Sequence, residues 1–218
     1  MNKNFLGHYD KWRDVRIRKI IKELGEDFFR GKSLLELGCG YGHIGKYFID
    51  NFDCDVTFAE GRIDHVNLLK KETSYEVICL NQEKEYTLDK KYDIIIHWGV
   101  LYHLDNWKQD LKCAISHLNS NGYLFLETEV CDSDDENFEV KIKERSHNYD
   151  QSMSGIGSRP SAPMIENVLV ENGLQFSRYD DDDISPETFK GYPHVYNWKV
   201  ENTGRTKPGL RRFWISKK

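Results

Sequence analysis

Residues 34–45 read LLELGCGYGHIG, and this stretch decides the fold. Ser33 to Leu37 has the composition of a short buried parallel strand, and Tyr41 to Phe48 restarts with helical spacing, so Gly38, Gly40 and Gly42 lie at a strand-to-helix turn. Open α/β sheets hold ligands at such turns. Glycine there accepts positive φ and lets a ligand approach the backbone with no Cβ in the way. The amides that open the following helix then face that ligand.

Two cofactor classes fit a glycine turn. Gly40, Gly42 and Gly45 formally satisfy GxGxxG, the dinucleotide fingerprint. Its register is wrong, because the first glycine after the strand is Gly38, whose third partner would be His43. Glu36 also stands where it would repel a pyrophosphate, whereas a carboxylate there suits a cation, and S-adenosylmethionine carries both a sulfonium and an ammonium. With Glu36, Gly38, Gly40 and Gly42 in the order acidic-x-Gly-x-Gly-x-Gly, the chain resembles the class I S-adenosylmethionine-dependent methyltransferases. The resemblance implies a Rossmann-like α/β fold, with a mostly parallel sheet and a terminal antiparallel strand. It also implies a cofactor held over Glu36, Gly38, Cys39, Gly40 and Gly42.

The chain has 218 residues, 39% of them hydrophobic, which is enough for one substantial core and short for two. A single domain over 1–218 is expected, with a helical cap at 1–30 and an insertion or lid at 131–160. No apolar run is long enough to span a bilayer, and MNKNFLGHYDKW is too polar for a secretory signal, so a soluble, cytoplasmic protein is expected. Cys39, Cys54, Cys79, Cys113 and Cys131 form no CxxC pair and no zinc spacing; buried reduced thiols and no metal are expected. A formal charge of -5 offers nucleic acid or an anionic membrane no global attraction, although a basic patch could still bind either.

The remaining motifs line up with that first one. In Asn4 to Leu24 an apolar face of Trp12, Val15, Ile17, Ile20, Ile21 and Leu24 alternates with basic residues read as a solvated face. Arg16 is the exception: in relatives of the resembled family an arginine of a pre-sheet helix pairs with the methionine carboxylate, and Tyr9 and Trp12 could cover the cofactor. Asp55 to Glu60 reads as a second strand ending in a carboxylate, 18 residues beyond Gly42, able to accept both ribose hydroxyls; Gly61 follows it. Tyr75 to Leu80 is a third strand, after which Asn81 and Gln82 inherit by position the adenine edge of the resembled family. Asparagine after a strand is also a common turn residue.

Tyr92 to Ile96 is a continuous apolar run suited to a central strand. His97 to Leu104, HWGVLYHL, resembles the family's fourth motif beside the methionine and sulfonium, and GVLYHL is similar to the branch containing tRNA wobble-uridine carboxymethyltransferases. Trp98 is expected beside the cofactor and Tyr102 in the acceptor wall. His97 and His103 are candidate bases for an oxygen acceptor, since an imidazole titrates near the operating pH; a structural histidine bonded to backbone is the competing reading. In the strand GYLFLETEV, Phe125, Glu127 and Glu129 share one face. Two carboxylates there either bind a polar acceptor or hold an arginine or the neighbouring backbone.

From Cys131 to Pro160 the strand signal lapses into an acidic, then Ser/Gly-rich stretch. Such insertions form substrate lids in the resembled family, which makes His147, Tyr149, Ser158 and Arg159 candidate substrate contacts. Ser161 is the expected cap of a helix closed by Gly173. Asp180 to Asp183 is read as a solvated loop in preference to a metal site, because consecutive side chains rarely converge, and His194 to Val200 as strand material. GRTKPGLRR is read as a soluble hairpin loop that near the cleft could bind an anionic acceptor, and Phe213 to Ser216 as the antiparallel closing strand.

The expected activity is methyl transfer from S-adenosylmethionine to a small or medium polar acceptor, or to a polar biopolymer, on oxygen or nitrogen. A regulator that binds the cofactor without catalysis would keep the same glycine turn. A nicotinamide oxidoreductase would need a phosphate-compatible residue at Glu36.

Overall fold

A computed structural model describes residues 3–148, 151–185 and 194–218, with the side chains of 3–9 outside the description. Tyr9 and Tyr149 therefore lie outside the described side chains. In chain order the elements are α1 (Lys3–Leu24), β1 (Ser33–Leu37), α2 (His43–Phe52), β2 (Asp55–Glu60), α3 (Ile63–Glu72), β3 (Glu76–Cys79) and β4 (Tyr92–Trp98). There follow α4 (Trp107–Ser116), β5 (Leu118–Glu129), β6 (Glu139–Lys143), β7 (Ile156–Pro160), α5 (Ala162–Glu171), β8 (Gln175–Tyr179) and β9 (Arg211–Lys217), with short 3-10 turns at Glu26–Phe28 and Leu101–His103.

Seven strands form one sheet in the order β3-β2-β1-β4-β5-β9-β8. The first five run parallel, and β9 lies antiparallel between β5 and β8. This is the α/β architecture expected of a mostly parallel sheet, with β9 as its antiparallel closing strand. The chain leaves β1 toward β2 and returns on the other side at β4, so the carboxyl ends of β1 and β4 open a crevice between them, where such sheets hold ligands.

Alternation along the strands fills two cores. Leu34, Phe58, Ile94, Ile96, Phe125 and Phe213 pack in one core with Ile20 of α1, Phe48 of α2 and Phe29 from the segment between α1 and β1. Leu35, Leu37, Ile95, Leu124, Leu126 and Trp214 face α4 and α5, packing on Trp107, Leu111, Ile165 and Leu169. The period of two also puts Glu127 and Glu129 on the Phe125 face, opposite Phe213 and Arg211 of β9. Ser161 caps α5, its hydroxyl accepting from the Met164 amide.

Four expectations need correction. The insertion is no plain loop: β6 and β7 pair as an antiparallel hairpin beside the main sheet. His194 to Val200 contributes only an isolated bridge between Val195 and Leu210, because Arg212 spends its donors on the carbonyls of Tyr196 and Trp198. The basic loop is buried at its end, where Arg211 and Arg212 open β9. The aspartate run is not simply solvated: Asp181 accepts from the buried Lys19 of α1 at 2.7 Å, and Asp180 pairs with Arg178 and Arg212. Lys19 thus leaves the solvated basic face, because a buried ammonium needs a counter-charge.

Candidate functional site

The glycine turn forms as its residue types require. Gly38, Gly40 and Gly42 have φ of 63°, 56° and 69°, and they carry the chain from β1 into α2. A Cβ on Gly38 would stand 2.3 Å from Val100, which holds the loop after β4 hard against the turn. A Cβ on Gly40 would meet nothing within 4 Å, so this backbone borders open space. The Cys39 amide donates to the Ala59 carbonyl of β2, and burial pushes its thiol up.

Two carboxylates flank the turn in different ways. Glu60, at the tip of β2, accepts from the Gly40 amide at 2.8 Å through one oxygen and from the Arg62 amide at 2.8 Å through the other. Strand register thus delivers Glu60 to the mouth of the glycine loop. Glu36 differs from its expectation of greeting a ligand directly. It is buried beneath the turn and accepts from the Gly45 amide at 2.8 Å, holding an otherwise unpaired donor of the first turn of α2. Burial pushes its carboxyl up to about 8, against the opposing pull of the Gly45 amide. Gly61, next to Glu60, is approached by the hairpin loop: a Cβ there would stand 2.6 Å from the Met153 sulfur.

At the other side of the crevice, Trp12 of α1 lies 3.2 Å from where a Gly99 Cβ would be, and Trp98 is buried with its ring 5.8 Å from Phe213. Past β3, Asn81 makes a turn, accepting from the Glu83 amide. Gln82 is buried and donates to Asp110 at 3.0 Å. The other Asp110 oxygen lies 2.6 Å from His97, whose side chain is 0% exposed. His97 is thereby corrected as a base: it is enclosed between β4 and α4, out of reach of any acceptor, and it ties the strand to the Gln82 segment.

His103 is placed differently. Its Nδ1 lies 2.6 Å from Glu144 Oε2, its side chain is 16% exposed, and its ring centroid lies 3.9 Å from that of Tyr102, with the planes tilted by 42°. Arg159 of β7 donates to Glu129 at 2.7 Å, to the Tyr102 carbonyl at 2.6 Å and to Glu144 at 3.3 Å. Arg159 and Arg211 both lie over the Tyr102 ring, at 4.6 and 4.7 Å. Arg211 also bonds Glu127 at 3.0 Å and Glu129 at 3.3 Å. Glu127 completes the chain with Arg16 at 2.9 Å and with the Tyr196 hydroxyl at 2.7 Å.

The expected substrate set is accordingly redistributed. Glu127 is fully buried and saturated by arginines, so it is a structural counter-ion. Burial pushes its carboxyl up, but the Arg16 and Arg211 guanidinia outweigh burial and hold it at about 2. Arg16, expected at a methionine carboxylate, points instead to Glu127, the Trp12 carbonyl and Tyr196, because a guanidinium at 0% exposure needs its charge matched locally. Glu129 and Arg159 bond each other, Ser158 is buried with its hydroxyl on the Leu104 carbonyl, and His147 is exposed. Glu144, Arg211, Asp110 and Tyr196 were not singled out by the sequence. Arg211 falls in the basic stretch GRTKPGLRR, which was the one sequence signal at it; nothing local marked the other three.

The comparisons agree with this fold. A model of the family described as methyltransferase domain matches residues 9–177. A tRNA U34 carboxymethyltransferase from Campylobacter hominis is 34% identical over 135 residues, covering 58% of this chain and 45% of the relative. A malonyl-[acyl-carrier protein] O-methyltransferase from Bacillus cereus is 28% identical over 129 residues, 55% of this chain and 48% of the relative. The chain thus spans about half the length of these curated relatives. Among solved structures, the plantazolicin methyltransferase BamL, in complex with a triazolic desmethyl analogue and S-adenosylhomocysteine, has a similar fold, with a TM-score of 0.62 over 95% of this chain and 85% of that one at 20% identity. With the acidic-glycine turn, the sheet order and the family match in agreement, the chain belongs to the methyltransferase domain family, among the class I S-adenosylmethionine-dependent methyltransferases.

Proposed function

We propose that the protein transfers a methyl group from S-adenosylmethionine to a small or medium polar acceptor, or to a polar group of a biopolymer, on oxygen or nitrogen. The observation that carries this reading is the Glu60 carboxylate held 2.8 Å from the Gly40 amide, beside a backbone open to solvent space. Both Glu60 oxygens suit ribose hydroxyls, and the backbone of Gly38 to Gly42 suits the amino acid end. Asn81 and Gln82 follow β3 in the position of an adenine edge, which the backbone serves because the Gln82 side chain is held by Asp110. Glu36 supplies negative charge beneath a cation once that cation favours its ionised form. A pyrophosphate would meet the Glu60 carboxylate instead of a donor.

When bound, S-adenosylmethionine supplies a methyl group on a good leaving group, so the protein contributes alignment and exclusion of water. Trp12 packs against Gly99 and Met153 against Gly61, two side chains that serve this reading as walls of the crevice. For an oxygen acceptor His103 is the base; a nitrogen acceptor needs none. The relatives named for tRNA, malonyl-acyl carrier protein and plantazolicin point to no common acceptor. A cytoplasmic location is part of the proposal, supported by the free cysteines, which suit a reducing compartment.

Calorimetry with S-adenosylmethionine and with NAD tests the cofactor: S-adenosylmethionine is expected to bind and NAD not to. Preferential binding of NAD would end the proposal. Release of S-adenosylhomocysteine across an acceptor panel then separates an enzyme from a binding protein.

A further inference from the structure

The insertion hairpin brings one carboxylate to the loop that follows β4. Glu144, just beyond β6, uses a single oxygen, Oε2, for two partners: His103 Nδ1 at 2.6 Å and the Ser152 amide at 2.7 Å. Its Oε1 accepts from Arg159 Nη2 at 3.3 Å. Arg159 also holds the Tyr102 carbonyl at 2.6 Å, so the same guanidinium fixes the carboxylate and the backbone that carries the imidazole. The charged groups around the pair come from several elements: Arg159 from β7, Glu129 from β5 behind it, and Arg211 from β9 across the Tyr102 ring. Burial acts to raise the Glu144 carboxyl, and the contacts with His103, Ser152 and Arg159 hold it below its ordinary range, as an anion.

A carboxylate accepting from Nδ1 sets the tautomer, leaving the lone pair on Nε2. Among the described residues no hydrogen bond engages that nitrogen, and the His103 side chain is partly exposed. The same anion stabilises an imidazolium once a proton has arrived. A carboxylate acceptor is already ionised, and a neutral amine attacks before it loses a proton; a hydroxyl must give its proton up as it reacts.

We infer that Glu144 is the positioning residue that makes His103 a base, and that the acceptor is a hydroxyl compound. This rests on the methyl-transfer reading. The hydroxyl proton passes to His103 Nε2 as the oxygen lone pair forms the bond to the methyl carbon. The methyl–sulfur bond breaks with both electrons left on sulfur, and the imidazolium, matched by Glu144, returns its proton to water. The sheet thus serves the cofactor, and the insertion serves the acceptor.

Nitrogen-15 NMR of the imidazoles, with His103 assigned through His103→Gln, reads the tautomer without any acceptor. The neutral ring is expected to carry its proton on Nδ1 in the wild-type protein and mainly on Nε2 in Glu144→Leu. A wild-type ring protonated on Nε2 overturns the inference even if the variant does not fold, as does a ratio the variant leaves unchanged. Turnover is then followed with 4-nitrophenol, benzyl alcohol, benzylamine and benzoate. Glu144→Gln is expected to lower kcat on the hydroxyl probes by about 10²-fold while KM for S-adenosylmethionine stays the same. Turnover of benzylamine or benzoate alone overturns the hydroxyl class. Failure to bind S-adenosylmethionine in calorimetry would instead remove the methyl-transfer reading and leave the tautomer result standing.

Discussion

Arg16 and Glu127, 111 residues apart in the chain, meet with Nη2 2.9 Å from Oε1, both of them fully buried. From this pair an alternating row of charges runs through Arg211, Glu129 and Arg159 to Glu144 and His103. It joins the N-terminal helix, the centre of the sheet and the insertion hairpin in one hydrogen-bonded line. A buried ion pair is expensive to desolvate, and removing one member leaves the rest uncompensated.

Glu127→Ala is therefore expected to destabilise the fold by about 3–5 kcal/mol, since it strands Arg16 and Arg211. Urea unfolding checks this, and a change within the error of the extrapolation would show that the arginines find other partners. The sign of the acid dependence follows. Glu127 is held at about 2 against an ordinary 4.5, so its contribution is present above 4.5 and is lost as pH falls through about 2.

Glu36 gives the opposite slope. Its carboxyl is raised from 4.5 to about 8, so its contribution to the stability of the ligand-free protein is complete below 4.5 and is lost as pH rises through about 8. A cation bound above the turn favours the ionised form. Cofactor binding near pH 7 is thus expected to release a proton, seen as a dependence of the calorimetric enthalpy on the ionisation enthalpy of the buffer. Glu36→Gln is expected to abolish that dependence; equal proton release by the variant would assign it elsewhere.

Two glycines of the turn are expected to separate folding from binding. Gly38→Ala drives a methyl into Val100 at 2.3 Å and strains a left-handed residue, so thermal stability and binding should fall together. Gly40→Ala meets no neighbour and costs only the left-handed penalty of about 1–2 kcal/mol. The Gly40 variant should stay folded by circular dichroism yet lose cofactor affinity. Full affinity in that variant would put the ligand on another side of the loop.

Glu60→Ala removes the acceptor placed for the ribose. Loss of charge-assisted hydrogen bonds worth about 1.5–3 kcal/mol predicts a dissociation constant raised roughly 10- to 100-fold. Isothermal titration measures it. An unchanged constant would leave Glu60 with only its present partners, the amides of Gly40 and Arg62.

The order of apolar strands and helical spacings, with the acidic-glycine turn, was enough to read an α/β sheet, its closing antiparallel strand and the glycine turn between β1 and α2. Those features are local: a glycine at positive φ, a carboxylate at a strand tip and an alternating strand are all written within a few residues. The pairing of the buried charges was decided by tertiary structure alone. Glu144 meets His103 from 41 residues away, Arg211 meets Glu127 from 84, and Asp110 takes His97 out of play from an adjoining helix. Nothing near a charged residue in sequence says which opposite charge will reach it. That choice is made by strand register and by the cost of burying a charge without a partner.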